Sequence, residues 1–227
     1  ELLTRYVVSL KAVPLVLKKE NPGYVLNAML GPLLTMAMAL DIAGLASKED
    51  VDRAWMLNRQ APMGPFGMMD FFGLNVIHDS WRYKETSTPE LAHFKSSVIG
   101  FLQPYIDGNT LGVKSGQGFY HYPEAEFQQE NFSVDSEQLE RAKDTLTCAL
   151  MVNAIALVDK GVVSRVDLDR AWTVGMTLPE GPFETLEMIG GKAFLALLAQ
   201  QQALGFCVSE EAKRAKAYIA KGGETHV

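Results

Sequence analysis

The run of apolar residues along the chain divides it into helical stretches and leaves little that reads as strand. Residues 25–41 are apolar almost all round, which marks a helix buried on most sides and not an amphipathic surface one. Gly44 follows where a left-handed C-terminal cap wants no side-chain carbon. Ser47-Lys48-Glu49-Asp50 sets a hydroxyl three residues before an acid, a capping-box pattern that predicts a second, shorter helix carrying Val51, Ala54 and Trp55 inward. Pro65, within Pro62-Met63-Gly64-Pro65-Phe66, suits the first turn of a third helix whose apolar stripe runs through Met68, Met69, Phe72 and Val76. Further helices are predicted over roughly 139–160, 164–174, 181–201 and 209–220. Only residues 12–17 and 118–122 look extended.

The pattern repeats. An ungapped offset of 117 residues lays Asp52-Arg53-Ala54-Trp55 on Asp169-Arg170-Ala171-Trp172, and Pro62-Met63-Gly64-Pro65-Phe66 on Pro179-Glu180-Gly181-Pro182-Phe183. The same offset pairs Gly44 with Gly161, Ser47 with Ser164, Asp50 with Asp167 and Gly73 with Gly190. Only three Trp occur, so two of them coinciding inside a shared tetrapeptide is not a chance event. The plain reading of that tetrapeptide is core packing by Trp plus a surface charge pair. The acidic stretch 123–131, without apolar periodicity, reads as the linker between the copies.

Composition narrows the function classes. The 227 residues carry 48% hydrophobic and 21% charged letters and a formal net charge of −6, which argues against nucleic acid as a partner. Two cysteines, Cys148 and Cys207, are too few for a disulfide framework or a cysteine-based zinc site, so a reduced compartment, the cytoplasm, is expected and no metal. The longest apolar run, 28–40, is interrupted by Gly31, Pro32 and Thr35 and falls short of the roughly 20 residues a membrane span needs. No membrane association is expected. A first residue of Glu, not Met, leads to the expectation of a piece of something longer.

Candidate chemistry is sparse. His78, His93, His121 and His226 are scattered and read as ordinary surface or partly buried residues. Gly116-Gln117-Gly118 opens like a dinucleotide fingerprint but lacks the third glycine and a following helix. Asn21-Pro22-Gly23-Tyr24-Val25-Leu26-Asn27 places an amide in the first turn of the most apolar helix. Asn27 is either a buried amide bonded to local backbone or a donor aimed at a ligand. Met63, Phe66 and Met69 could line a greasy pocket, and core packing accounts for them equally well.

Four motifs in register resemble one family. Asn21-Pro22-Gly23-Tyr24-Val25-Leu26-Asn27, then Ser47-Lys48-Glu49-Asp50-Val51-Asp52, then Pro62-Met63-Gly64-Pro65-Phe66 with Asp70 and Gly73, then Lys114-Ser115-Gly116-Gln117-Gly118-Phe119-Tyr120, are similar to the C-terminal domain of bacterial 3-hydroxyacyl-CoA dehydrogenases. The second copy resembles the additional domain of the same type in longer members. The resemblance implies an all-α fold of two tandem homologous helical domains, like the C-terminal domain of 6-phosphogluconate dehydrogenase, after a short remnant of an α/β domain. It divides the chain into 1–22 (remnant of the dinucleotide-binding domain), 23–122 (first domain), 123–134 (linker) and 135–227 (second domain).

It further implies oxidation of 3-hydroxyacyl-CoA to 3-oxoacyl-CoA with NAD, in fatty-acid metabolism such as β-oxidation. Asn27 takes the catalytic role, donating a hydrogen bond to the substrate oxygen as the carbonyl forms. Met63, Phe66 and Met69 are candidate substrate-binding walls, and Lys18, Lys19 and Arg59 candidate partners for the CoA phosphates. The family's NAD-binding domain and its catalytic His–Glu pair have no counterpart here, so the chain by itself is expected to be inactive. Ala28 and Val113 depart from basic residues common in the family, and Asp144 stands at the offset position of Asn27. A homodimer, or an internal pseudo-dimer of the two copies, is expected. The alternative is a free-standing helical assembly or CoA-ester-binding module without dehydrogenase activity. A fragment of a 6-phosphogluconate or 3-hydroxyisobutyrate type dehydrogenase fits these motifs less well.

Overall fold

The computed structural model describes residues 2–83, 89–129, 132 and 136–222, and among these all the regular structure is helical. The elements are α1 (Leu2–Ser9), α2 (Leu26–Ile42), α3 (Lys48–Arg59), α4 (Pro65–Phe72), α5 (Leu74–Tyr83), α6 (Lys95–Asp107), α7 (Ser136–Asp159), α8 (Arg165–Met176), α9 (Pro182–Ile189), α10 (Gly191–Ala203) and α11 (Ser209–Ala220). Short 3-10 turns lie at Pro89–Phe94, Val113–Ser115 and Glu126–Gln128. Every residue of α2 from Pro32 to Leu40 is buried, as its all-round apolar pattern requires. No helix among the described residues is long and apolar enough to cross a membrane.

Two kinds of local expectation need correction. Neither extended stretch becomes a strand: residues 12–17 find no ladder partner, and 117–121 makes only isolated bridges, Gly112 to Gln117 and Gln117 to His121. The third helix does not continue to Val76, and 181–201 is not one helix. Both break at the same offset, at Gly73 (φ 100°) and Gly190 (φ 81°), where the backbone takes a conformation that only glycine adopts cheaply. Leu74 N then turns away to donate to Leu111 O at 3.0 Å. Apolar letters run on across this break although Phe72 and Val76 are exposed and not turned into the core, so periodicity alone could not show it. Within the acidic segment after residue 122, Ala125 and Phe127 are buried and Phe127 packs against Tyr120. Residues 130, 131 and 133–135 of the expected linker lie outside the described residues.

The repeated tetrapeptide acts differently from a surface charge pair. Asp52 is fully buried and accepts from Phe66 N at 2.7 Å and Gly67 N at 2.9 Å, capping the start of α4. At the same offset, Asp169 accepts from Phe183 N at 2.9 Å and Glu184 N at 3.2 Å at the start of α9. This explains the repeated glycine: a Cβ at Gly64 would stand 2.3 Å from Asp52 Cα, and one at Gly181 would stand 2.3 Å from Asp169 Cγ. Ser47 and Ser164 cap α3 and α8 by accepting from Asp50 N at 3.2 Å and Asp167 N at 3.1 Å.

The two copies share one apolar core, in which α7 packs on both α2 and α3. Hydrogen bonds at the ends show that α2 and α7 run antiparallel. Arg141, near the start of α7, donates to Leu45 O at 2.8 Å beyond the end of α2. Lys18, before α2, donates from its backbone to Val162 O at 2.9 Å beyond the end of α7. Leu45 and Val162 are themselves equivalent positions of the repeat, although one is met by a side chain and the other by a backbone amide. Arg59 seals the junction, its guanidinium donating to Thr185 Oγ1 at 2.5 Å and Thr147 Oγ1 at 3.3 Å.

Candidate active site between the two copies

The Pro-Gly turn aims the first turn of α2. Asn21 Nδ2 donates to Pro22 O at 3.0 Å and Tyr24 O at 2.9 Å, while Tyr24 N donates back to Asn21 O at 2.8 Å. Gly23 stands at φ 77°, and a Cβ there would press within 3.1 Å of Ala28 N. Asn27 follows, and it is exposed, not the buried amide that one reading of the sequence required. Its side chain makes no hydrogen bond among the described residues. It lines a cavity of about 190 Å³ between α2, α5, the 3-10 turn at Pro89–Phe94 and α7.

The cavity lining is mixed, and few of its polar groups are uncommitted. Pro32, Trp81, Leu91 and Leu157 supply apolar surface. Thr35 Oγ1 is committed to Gly31 O at 2.7 Å, Ser80 Oγ to Ile77 O at 2.7 Å, and Asn153 Nδ2 to Ala149 O at 2.8 Å. Pro32 interrupts the hydrogen-bond ladder of α2 because it has no N–H to give to the Ala28 carbonyl. Both copies contribute: Asn153, Ala156, Leu157 and Lys160 come from the second.

The remaining residues singled out in the sequence lie elsewhere. Phe66 and Met69 are fully buried, with Phe66 edge-on to Phe119 at 4.8 Å, and neither lines the Asn27 cavity. Met63 lines a separate groove of about 470 Å³ with Phe71, Val113 and Tyr122. Arg59 is buried at the junction of the copies and has no opening toward a phosphate. Lys19 Nζ donates to Lys160 O at 3.1 Å. His78, expected at the surface or partly buried, is buried, with Nε2 lacking a partner among the described residues. His121 pairs with Glu126 at 3.0 Å, and His226 lies outside the described residues. Cys148 and Cys207 are buried free thiols, Cys207 pushed up to about 12 by burial, so neither is a ready nucleophile. The described residues contain no cluster of His, Cys, Asp or Glu able to hold a metal ion.

The Gly116-Gln117-Gly118 segment serves a buried carboxylate. Asp70 accepts from Phe119 N at 2.9 Å, Tyr120 N at 3.0 Å and the Tyr122 hydroxyl at 2.9 Å. A Cβ at Gly118 would stand 2.1 Å from Asp70 Oδ1, and one at Gly112 would stand 2.2 Å from Asp70 O. Tyr120 OH crosses to Asp52 Oδ2 at 3.1 Å, joining the two carboxylates. Burial raises Asp52 to about 7 against the lowering by its backbone and Tyr120 donors, and it raises Asp70 as well. The amides a pyrophosphate would need are thus already occupied by Asp70, and no other glycine-rich turn here joins a strand to a helix. The residues present do not fit a dinucleotide.

Sequence reasoning missed the capping roles of Asp52 and Asp70 and the contribution of α7 to the cavity. The fixed spacing of Asp52 to Gly64, kept at Asp169 and Gly181, was the available signal for the first of these. Nothing local marks Asn153 or Lys160.

Comparison with known proteins places this architecture. The family profile "3-hydroxyacyl-CoA dehydrogenase, C-terminal domain" matches residues 23–122 and again 143–222. The mitochondrial hydroxyacyl-coenzyme A dehydrogenase of Homo sapiens is 38% identical over 107 residues, covering 46% of this chain and 32% of that protein. The 3-hydroxybutyryl-CoA dehydrogenase of Clostridioides difficile is 35% identical over 103 residues, covering 45% and 36%. The chain thus spans about a third of the length of the curated relatives it matches. A crystal structure of 3-hydroxybutyryl-CoA dehydrogenase from Escherichia coli superposes with a TM-score of 0.70 over 99% of this chain and 65% of that one, at 18% identity, and supports the fold. With most of its length matched in two tandem segments, the chain belongs to the 3-hydroxyacyl-CoA dehydrogenase C-terminal domain family.

Proposed function

We propose that this chain is the substrate-side helical region of a 3-hydroxyacyl-CoA dehydrogenase, which oxidises the 3-hydroxyl of an acyl-CoA to a ketone. One observation carries the reading: Asn27 presents an uncommitted amide from the first turn of a largely buried helix into a cavity lined in part by Pro32, Trp81, Leu91 and Leu157. An amide so placed donates a hydrogen bond to the 3-oxygen as it becomes a carbonyl, an electrostatic contribution that needs no rearrangement during the reaction. Pro32, Trp81 and Leu157 take the role of acyl-chain walls, while Phe66 and Met69 serve the core. NAD, the hydride acceptor in this reading, is held outside these residues, and the tandem copies act as an internal pair around the cavity.

Two measurements test it. The 227-residue chain binds acetoacetyl-CoA but does not oxidise 3-hydroxybutyryl-CoA when NAD is supplied. In the native dehydrogenase, Asn27→Ala lowers kcat by about 100-fold with a smaller change in KM. An unchanged kcat removes Asn27 from the reaction.

A further inference from the structure

We infer that the second copy completes the Asn27 site, and that Lys160 binds an anionic group of the ligand held there. The inference rests on the reading of Asn27 above and adds to it a charged partner from the other half of the chain.

The antiparallel register carries the argument. Lys18 N to Val162 O and Lys19 Nζ to Lys160 O tie the lead-in of α2 to the end of α7, so the start of α2 lies beside the end of α7. Asn27, Gly31 and Thr35, one helical face at four-residue spacing, line the same cavity as Asn153, Ala156 and Lys160. Asn27 and Lys160 stand at the same end of it.

A lysine just past a helix C-terminus is ordinarily explained by interaction with the helix's final carbonyls. Here Lys19, from the segment before the first copy, takes that part by donating to the Lys160 carbonyl. The ammonium of Lys160 has no partner among the described residues. In the cavity it stands with the Asn27 amide as an uncommitted donor, whereas Thr35, Ser80 and Asn153 already donate to backbone carbonyls. An amide and an ammonium lining one cavity suit a ligand that carries both a neutral oxygen and an anionic one. The anion is a phosphate of the CoA moiety or a carboxylate on the acyl chain, which share the same oxygen chemistry.

Calorimetric titration of the 227-residue chain with acetoacetyl-CoA, acetoacetyl-pantetheine and glutaryl-pantetheine tests this. Lys160→Ala is expected to weaken an anionic ligand about tenfold while leaving neutral acetoacetyl-pantetheine unchanged. Lys160→Arg keeps affinity within about threefold, because the charge remains. A loss confined to acetoacetyl-CoA identifies the phosphate, and a loss with glutaryl-pantetheine identifies the carboxylate. Equal affinity of Lys160→Ala and the parent chain for all three ligands overturns the inference, and so does an equal loss with the neutral one. Binding that survives Lys160→Ala but falls with Asn27→Ala leaves the proposed function standing and removes this addition. No binding by the parent chain overturns both.

Discussion

The two copies of the repeat share the caps that begin their helices and differ at the Asp70 clasp and at the start of α2. Each copy caps its second helix with a serine and its third with an aspartate brought up against a glycine. Only the first adds the Asp70 clasp on the Phe119 and Tyr120 amides. The position equivalent to Asp70 is Glu187, exposed and paired with Arg165. The start of α2 differs as well. The first copy has a Pro-Gly turn there and a cavity beside it, whereas α7 extends through Gln138, which accepts from Ser47 N, and Arg141, which donates to Leu45 O. What the copies share serves packing; of what they do not share, the Asp70 clasp lies away from the Asn27 cavity and the Pro-Gly turn lies beside it.

The largest effect that can test this comparison comes from the capping glycines. Gly64→Ala drives a Cβ against the Asp52 backbone and is expected to cost about 3 kcal/mol or more. Gly181→Ala meets the side chain of the less buried Asp169 and costs less. Equal losses in denaturant unfolding would show that the two caps are equally rigid, against the comparison. Next, Asp70→Asn deprives buried amides of their ionic acceptor, for about 2 kcal/mol, while Glu187→Gln stays within about 0.5 kcal/mol, as an exposed pair should.

A smaller effect is read in pH. Burial raises Asp52 to about 7 and Asp169 to about 6. The folded chain therefore holds protons that the unfolded chain releases near the ordinary carboxylate value of about 4. Ionising these groups costs stability, so their contribution is full below about 4 and falls as pH rises toward about 7. Asp169→Asn should leave the fall between about 6 and about 7 in place, because it belongs to Asp52; a flat melting temperature across that interval would contradict this. The smallest contrast is between Ser47→Ala and Ser164→Ala, each expected to cost about 1 kcal/mol, with nearly equal shifts in melting temperature.

Much of the fold was legible because its signals are short-range. The serine caps, the all-round apolar α2 and the full extent of α11 follow from residues within a few positions of one another. The repeat added the pairing of equivalent elements. The breaks at Gly73 and Gly190 stayed hidden, since the apolar stripe is continuous across them and the positive φ is set by contacts such as Leu74 N to Leu111 O. The same limit applied at the site. Asn27 could be singled out from its Pro-Gly turn, but whether its amide was buried or open depended on α7, more than a hundred residues away.

By itself, then, the sequence determined helical class, the tandem repeat, the caps and the resemblance carried by four motifs. These rest on local backbone preference and hydrophobic period, which each segment expresses on its own. Tertiary structure decided that Asp52 is a buried helix cap, that Arg59 seals the junction between copies, and that the second copy supplies a wall of the Asn27 cavity. These depend on which surfaces meet when two homologous halves pack antiparallel, a choice made by the summed burial of many side chains and by no single motif.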